Sequence, residues 1–237
     1  MVIRDIADEI VGFSLSGPNS RKVIEKLTDD PIGELPFMGC GTFDIGLVRA
    51  KVGRISVAGE LGYEIHCTAM EHIALRRMLL AAGTDQGLRE VGFNALLSLR
   101  LEKSFGIWST EFTQAYTAAQ TGMDRWIDWS KDFIGKEAAE KELNGAHSDQ
   151  VVVTLEVDSN DADASGYEPI WQGDKLIGFV TSGGYGHTVQ KSLAMAMVNR
   201  DCATVGSELM VHIVGVEKTA HVIAASPYDP SGQAMRG

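Results

Sequence analysis

From residue 151 onward the sequence leaves room for little except a small all-β body. Six short runs of strand-forming residues follow one another: Val151–Val157, Glu168–Trp171, Leu176–Thr181, Leu193–Val198, Leu209–Val214 and Thr219–Ala225. Gly173-Asp174, Gly183-Gly184 and Gly215 punctuate them, with little helical periodicity between. Short strands with turn residues at steady intervals predict a small barrel or sandwich.

The first half reads differently. Val11–Leu15 predicts a strand leading through Ser16-Gly17-Pro18-Asn19 into a helix, with Val23, Ile24 and Leu27 on one face and an end near Thr28–Pro31. Strands are expected between Gly41 and Cys67, Arg54–Val57 among them, with a turn at Val52-Gly53-Arg54. Thr68 with Glu71 forms a capping-box pattern and opens a helix through Ile73, Leu75, Met78 and Leu79 to Gly83. A further helix from Phe93 to Lys103 turns Leu96, Leu99 and Arg100 towards its neighbours. Strands with long helices beside them indicate an α+β layer. The change of texture around Asn144–His147 places a domain boundary at residue 147, dividing 1–147 from 148–237.

Composition removes several classes of function. A formal net charge of −11 argues against nucleic-acid and anionic-membrane binding, both of which need a basic surface. Cys40, Cys67 and Cys202 are too few and too scattered for a zinc site or a disulfide framework, which fits a reducing compartment. The start, Met1 to Glu9, has neither the basic end nor the apolar centre of a signal peptide, and no apolar run is long enough to span a bilayer. A cytoplasmic protein without a metal is the expectation.

The segment Gly59-Glu60-Leu61-Gly62-Tyr63-Glu64-Ile65 carries the chemistry. Glu64 stands between Tyr63 and Ile65, where two readings are open. Strand alternation sends it to solvent opposite an inward Tyr63 and Ile65. Alternatively it is a recessed carboxylate, an acceptor suited to a ligand edge with two parallel N–H donors, such as an amidine-like heterocycle.

Other motifs follow: Leu99-Arg100-Leu101-Glu102-Lys103, then Tyr116 to Arg125, Asp132 to Ala138, and Thr181 to His187. In this order and spacing they resemble the aminomethyltransferase (glycine-cleavage T-protein) family from Gly12 to Arg236. The likeness is greatest to the folate-binding C-terminal module of dimethylglycine and sarcosine dehydrogenases, which carries similar G-E-L-G-[WY]-E, R-L-E-K and D-F-I-G runs. The resemblance implies an α+β fold, partial ferredoxin-like α/β layers followed by a small C-terminal β-barrel. It also implies tetrahydrofolate as cofactor, and one-carbon transfer to it from an N-methyl or aminomethyl donor.

Carried over residue by residue, Glu64 matches the glutamate that hydrogen-bonds the pterin edge. Tyr63 and Arg100 join it as candidate cofactor-binding residues, although by pattern Tyr63 reads as a core aromatic and Arg100 as a structural ion-pair residue. Leu96 stands where glycine-cleavage T-proteins have a folate-contacting arginine, which favours the dehydrogenase-like branch. Ala118 and Gln120 replace a proline and a glutamate of the family's T-P-L-E-A-G-L step, leaving an uncharged loop. Trp126 and Trp129 are expected in packing. His187, in a glycine-rich turn, is either a simple strand reversal or part of a backbone N–H cradle for an anionic tail.

The family's catalytic aspartate has no counterpart, since Asp5 and Asp8 fall after its position, so the catalytic residues are unknown. The N-terminal part of the family module is expected to be absent, and a second chain supplying it, or a flavoprotein dehydrogenase, is an implied partner. Two alternatives stand beside this reading: a demethylase of the same fold with an S-methyl or O-methyl donor, and a non-catalytic folate-binding or subunit-interaction module.

Overall fold

The computed structural model describes residues 2–145 and 148–237 and divides into two compact units. One gathers the chain up to Leu96 with Ser231–Gly237, and the other spans Leu97–Pro230. The expected boundary at residue 147 lies outside the described residues. The barrel strands do begin just beyond it, but the unit that holds them starts at Leu97.

In the first unit, β1 (Ile10–Ser16), β2 (Cys40–Ile45), β3 (Val48–Gly53) and β4 (Gly62–Thr68) form an antiparallel sheet in the order β1-β4-β3-β2. Helices α1 (Ser20–Glu25) and α2 (His72–Gly83) cover one face. Alternation decides which face. Leu15, Ile45, Val48, Ala50, Val52, Tyr63, Ile65 and Cys67 point inward and share a core with Val23, Ile24, Leu75 and Leu79. The intervening residues of β1 to β4 remain largely exposed. The expected capping box at the start of α2 is not formed: Thr68 ends β4 and Glu71 directly precedes the first helical residue with no side-chain cap bond, although its carboxylate accepts the Thr68 hydroxyl at 2.6 Å and the Thr68 amide at 3.3 Å.

Two expectations need correction here. Val52 and Gly53 belong to β3 rather than a turn, because Val52 continues the inward series of Val48 and Ala50. The reversal falls at Gly46-Leu47 instead, where Gly46 takes φ 58°, a left-handed conformation that favours glycine. Arg54–Val57 is a loop, not a strand. Arg54 is 7% exposed, and its guanidinium is turned to the Leu35 carbonyl at 3.0 Å and to the Arg236 carbonyl.

Helix α3 (Phe93–Glu102) runs from the first unit's last residues into the second, which continues with α4 (Lys136–Leu143). The six strands β5 (Gln150–Val157), β6 (Pro169–Gln172), β7 (Lys175–Gly186), β8 (Lys191–Asn199), β9 (Glu208–Ile213) and β10 (Val216–Ile223) close an antiparallel barrel in the order β10-β5-β8-β7-β6-β9. A short helix, α5 (Gln233–Arg236), ends the chain within the first unit. Leu155, Ile170, Ile177, Val180, Leu209 and Val211 lie in the barrel core. Gly183 and Gly184 do not interrupt this body but lie inside β7, and the turn comes later, at His187–Gln190. At Gly183 a Cβ would stand 2.3 Å from the Ala164 carbonyl oxygen, so the bare backbone is what lets that segment pass.

The end of α3 buries three consecutive motif charges, Arg100, Glu102 and Lys103, at 3%, 1% and 2% exposure. Each is met by a different segment. Arg100 donates to the Phe105 carbonyl at 3.1 Å and lies 3.6 Å from the Glu111 carboxylate. Glu102 accepts the amides of Thr188 and Val189 at 2.6 and 3.0 Å. Lys103 donates to the carbonyls of Tyr228 and Asp229 at 3.0 and 2.7 Å.

Glu111 itself is fully enclosed, accepting from the hydroxyls of Thr110, Thr181 and Ser182 and from the Ile107 amide. Burial pushes its carboxyl up, but the Ser182, Thr110 and Thr181 hydroxyls with the Ile107 amide outweigh it, so its pKa falls below the ordinary value. Burial likewise pulls the Arg100 guanidinium down, against the opposing pull of Glu111.

A carboxyl whose pKa is depressed on folding contributes stability above its unfolded pKa and loses it as pH falls through the folded one. Replacing Glu111 by Gln should cost about 3–5 kcal/mol at neutral pH, since Arg100 stays buried without its charge partner. In urea titrations the gap between wild type and Glu111→Gln should narrow as pH drops below the ordinary carboxylate range. A gap that stays constant down to acid would refute the assigned ionisation. Gly183→Ala should lower stability by about 1–3 kcal/mol, read as a lower thermal midpoint, because the backbone of Ala164 must move to admit the methyl group.

Candidate functional site

Glu64 stands on β4, and the core dictates where it points. With Tyr63, Ile65 and Cys67 committed inward, Glu64 and His66 emerge on the opposite face. The first of the two open readings is therefore correct about direction. The side chain is nevertheless only 30% exposed, which makes it a sheltered carboxylate rather than a freely solvated one.

Its surroundings are small and polar. In register, Ser14 of β1 and Gly53 of β3 flank it. The hydroxyls of Ser14 and Ser16, and of Ser16 and Ser56, lie 3.4 Å apart and continue a polar row along the sheet. His66 Nε2 is 3.5 Å from Glu64 Oε2. Glu64 Oε1 meets no hydrogen-bond donor among the described residues. Such a carboxylate can accept paired N–H donors from a flat heterocycle laid against the sheet.

Tyr63 and Arg100 are placed otherwise. The Tyr63 ring is wholly enclosed in the core of the first unit, and its hydroxyl accepts from Arg21 Nε at 3.4 Å. Arg100 lies inside the second unit, turned to Phe105 and Glu111. Both are enclosed side chains, with Tyr63 packed beneath the strand that carries Glu64.

The loop from Thr117 to Met123 folds on itself. The Gln120 side-chain carbonyl accepts the Thr117 amide at 2.9 Å, so the residue that replaces the family's glutamate serves as a loop brace. Beside it a cavity of about 420 Å³ is lined by Thr117, Ile127, Trp129, Ala139, Glu142 and Leu143. Glu142 reaches its edge, accepting from Thr117 at 2.8 Å and Ser148 at 3.1 Å. Trp129 is half-buried, whereas Trp126, expected in packing, is 63% exposed with the Arg125 guanidinium over its ring.

His187 sits in an exposed turn, its ring edge-on to Tyr185 at 5.1 Å. The amides that follow it, of Thr188 and Val189, are taken by Glu102. The cradle for an anionic tail is therefore filled from within by a carboxylate of α3.

Sequence reasoning passed over His66 and Glu111. Alternation could have found the first, since the residue two beyond Glu64 must share its face. Nothing in the pattern around Glu111 announced a buried carboxylate. No helix of the described residues is long and apolar enough to cross a membrane. Among the described residues, no group of three or more His, Cys, Asp or Glu could hold a metal ion.

Comparisons with known proteins agree across both halves of the chain. Residues 1–131 match the domain described as the GCVT N-terminal domain, and residues 150–229 match the glycine cleavage T-protein C-terminal barrel domain. The chain is 33% identical over 225 residues to the mitochondrial dimethylglycine dehydrogenase of Mus musculus, covering 93% of this chain and 26% of that protein. To an aminomethyltransferase of Geobacillus sp. (strain WCH70) it is 29% identical, covering 94% of this chain and 62% of the relative. It thus spans only part of the length of either relative. In fold, it matches the crystal structure of glycine cleavage system aminomethyltransferase T from Bartonella henselae with a TM-score of 0.82 at 24% identity, covering 93% of this chain and 60% of that one. With family domains matched on both sides of residue 147, the chain belongs to the glycine cleavage T-protein family.

Proposed function

We propose that this chain binds a reduced folate against the outward face of β4 and serves one-carbon transfer to it from an N-methyl or aminomethyl donor. The observation that carries this reading is the sheltered carboxylate of Glu64, with Oε1 unpaired among the described residues and the flanking positions held by Ser14 and Gly53. A pterin presents a ring N–H and an exocyclic amino group side by side, and an ionised carboxylate satisfies both at once. Small flanking residues leave room for a flat ring.

The bound folate supplies the amine nitrogen that accepts the one-carbon unit. The chain's own contribution is to fix the pterin so that this nitrogen is held in reach, a positional gain. Tyr63, committed to the core on the inward side of β4, fixes the outward direction of Glu64, whereas Arg100 is enclosed in the second unit and takes no part in this reading. No residue of the chain is assigned here to proton transfer. The donor is a small amine, and a second chain or a dehydrogenase partner would bring it.

Calorimetric titration with folinic acid, a stable formylated tetrahydrofolate, tests this. Saturable binding is expected for the wild type, and Glu64→Gln should weaken it at least about tenfold, because an amide NH₂ then faces a ligand donor. Circular dichroism would verify that both proteins are folded. Absence of binding by folded wild type would overturn the folate reading and favour a non-catalytic interaction module. Equal binding by the variant would move the pterin elsewhere.

A further inference from the structure

We infer that His66 is a positioning residue for Glu64, and that it makes ligand capture on this face sensitive to protonation. The inference rests on the folate reading of Glu64 above. His66 Nε2 lies 3.5 Å from Glu64 Oε2, while Oε1 is left unpaired among the described residues. The imidazole thus touches one of the two oxygens that a pair of parallel donors needs.

The ring is held in place by what is missing beneath it. Gly12 lies opposite His66 in the β1–β4 register. A Cβ at Gly12 would come 2.7 Å from His66 Nδ1 and 3.0 Å from its Cε1, so the imidazole rests on bare backbone. Any side chain at position 12 would lift the ring and loosen its contact with Glu64.

The charges facing His66 can be named. On its own strand there is Glu64, two residues away. From β3 comes Lys51, its register partner, and further along the same face Arg49, which is paired to Asp44 of β2 at 2.8 Å. On β1, Gly12 and Ser14 bring no charge. Of these groups the imidazole is the one that can serve as either a neutral or a cationic donor. Uncharged, it steadies the Glu64 rotamer through a long contact that a ligand displaces readily. Protonated, it becomes an ion-pair partner that competes with the ligand's donors for Oε2.

The pair is partly solvated, with side-chain exposures of 44% and 30%, so the effect is modest. Folinic acid should bind the wild type about threefold more weakly at pH 6 than at pH 8, the scale of an exposed ion pair. His66→Gln keeps a neutral donor, so it should preserve the pH 8 affinity and abolish the difference between the two pH values. Gly12→Ala keeps both titratable groups but displaces the ring, and it should flatten the dependence as well. A histidine that merely fills space would move none of these readouts.

A second readout needs no ligand. Nitrogen-15 shifts of the His66 ring above pH 8 should place its hydrogen on Nε2 in the wild type, and this preference should weaken in Glu64→Gln. If folinic acid binds and Glu64→Gln abolishes binding, yet His66→Gln retains the wild-type pH dependence, the inference is overturned and the folate reading stands. If folded wild type binds no folinic acid at either pH, the folate reading falls and takes the ligand half of this inference with it. Ring shifts unchanged by Glu64→Gln would overturn the pairing itself.

Discussion

Three charges buried at the end of one helix set the organisation of the second unit. Removing an ion from water costs several kcal/mol even after relaxation, so Arg100, Glu102 and Lys103 can be enclosed only where each meets compensating groups. Those groups come from separate stretches: residues 105–111, the turn at 188–189, and the tail at 228–229. The consequence is specificity of arrangement more than net stability.

Ser104, next in sequence, extends the same logic with neutral groups. Its hydroxyl oxygen accepts from Thr154 at 2.7 Å and from the Ser226 amide at 2.9 Å. The motif that looked like a ligand arginine with an acidic neighbour is therefore a junction, in which a loop, a hairpin turn and the segment after β10 are all fastened to α3. Glu102 illustrates how such a junction restricts function. By occupying the amides of Thr188 and Val189, it removes the donors that a glycine-rich turn could have offered to an anion.

Much of this was legible in the sequence, for reasons that differ by element. The barrel strands showed themselves because short strand-forming runs and turn residues such as Gly173-Asp174 and Gly215 are local signals. The helix from His72 was legible through the spacing of Leu75 and Leu79, while Thr68 and Glu71 marked the turn before it rather than its cap. Arg54–Val57 misled because its β-branched residues favour a strand, while a buried guanidinium needing distant carbonyls keeps it a loop. Gly183-Gly184 misled in the opposite sense: they lie inside β7, where Gly183 is required by the close passage of Ala164. The compact units divide at Leu97, whereas the change of sequence texture marks where the barrel strands begin, at Gln150. At the candidate site, the direction of Glu64 followed from alternation, while the sheltering of its carboxylate and the presence of His66 depend on neighbouring strands.

If this face takes a folate as proposed, the net charge of −11 sharpens what it must do. A folate carries carboxylates on its tail, so the long-range field of this chain opposes its approach, and steering cannot account for binding. Recognition has to be local, through contacts made once the ring is against the strand. On the outward face around Glu64 the available groups are suited to that: a carboxylate for the donor edge, serine hydroxyls in a row, and Lys51 as a basic neighbour, with Arg49 already engaged by Asp44. A site of this kind gains selectivity from the pairing of donors and acceptors at one edge. It therefore depends closely on how the two oxygens of Glu64 are oriented, which in turn depends on the inward packing of Tyr63 and on the outward neighbour at position 66.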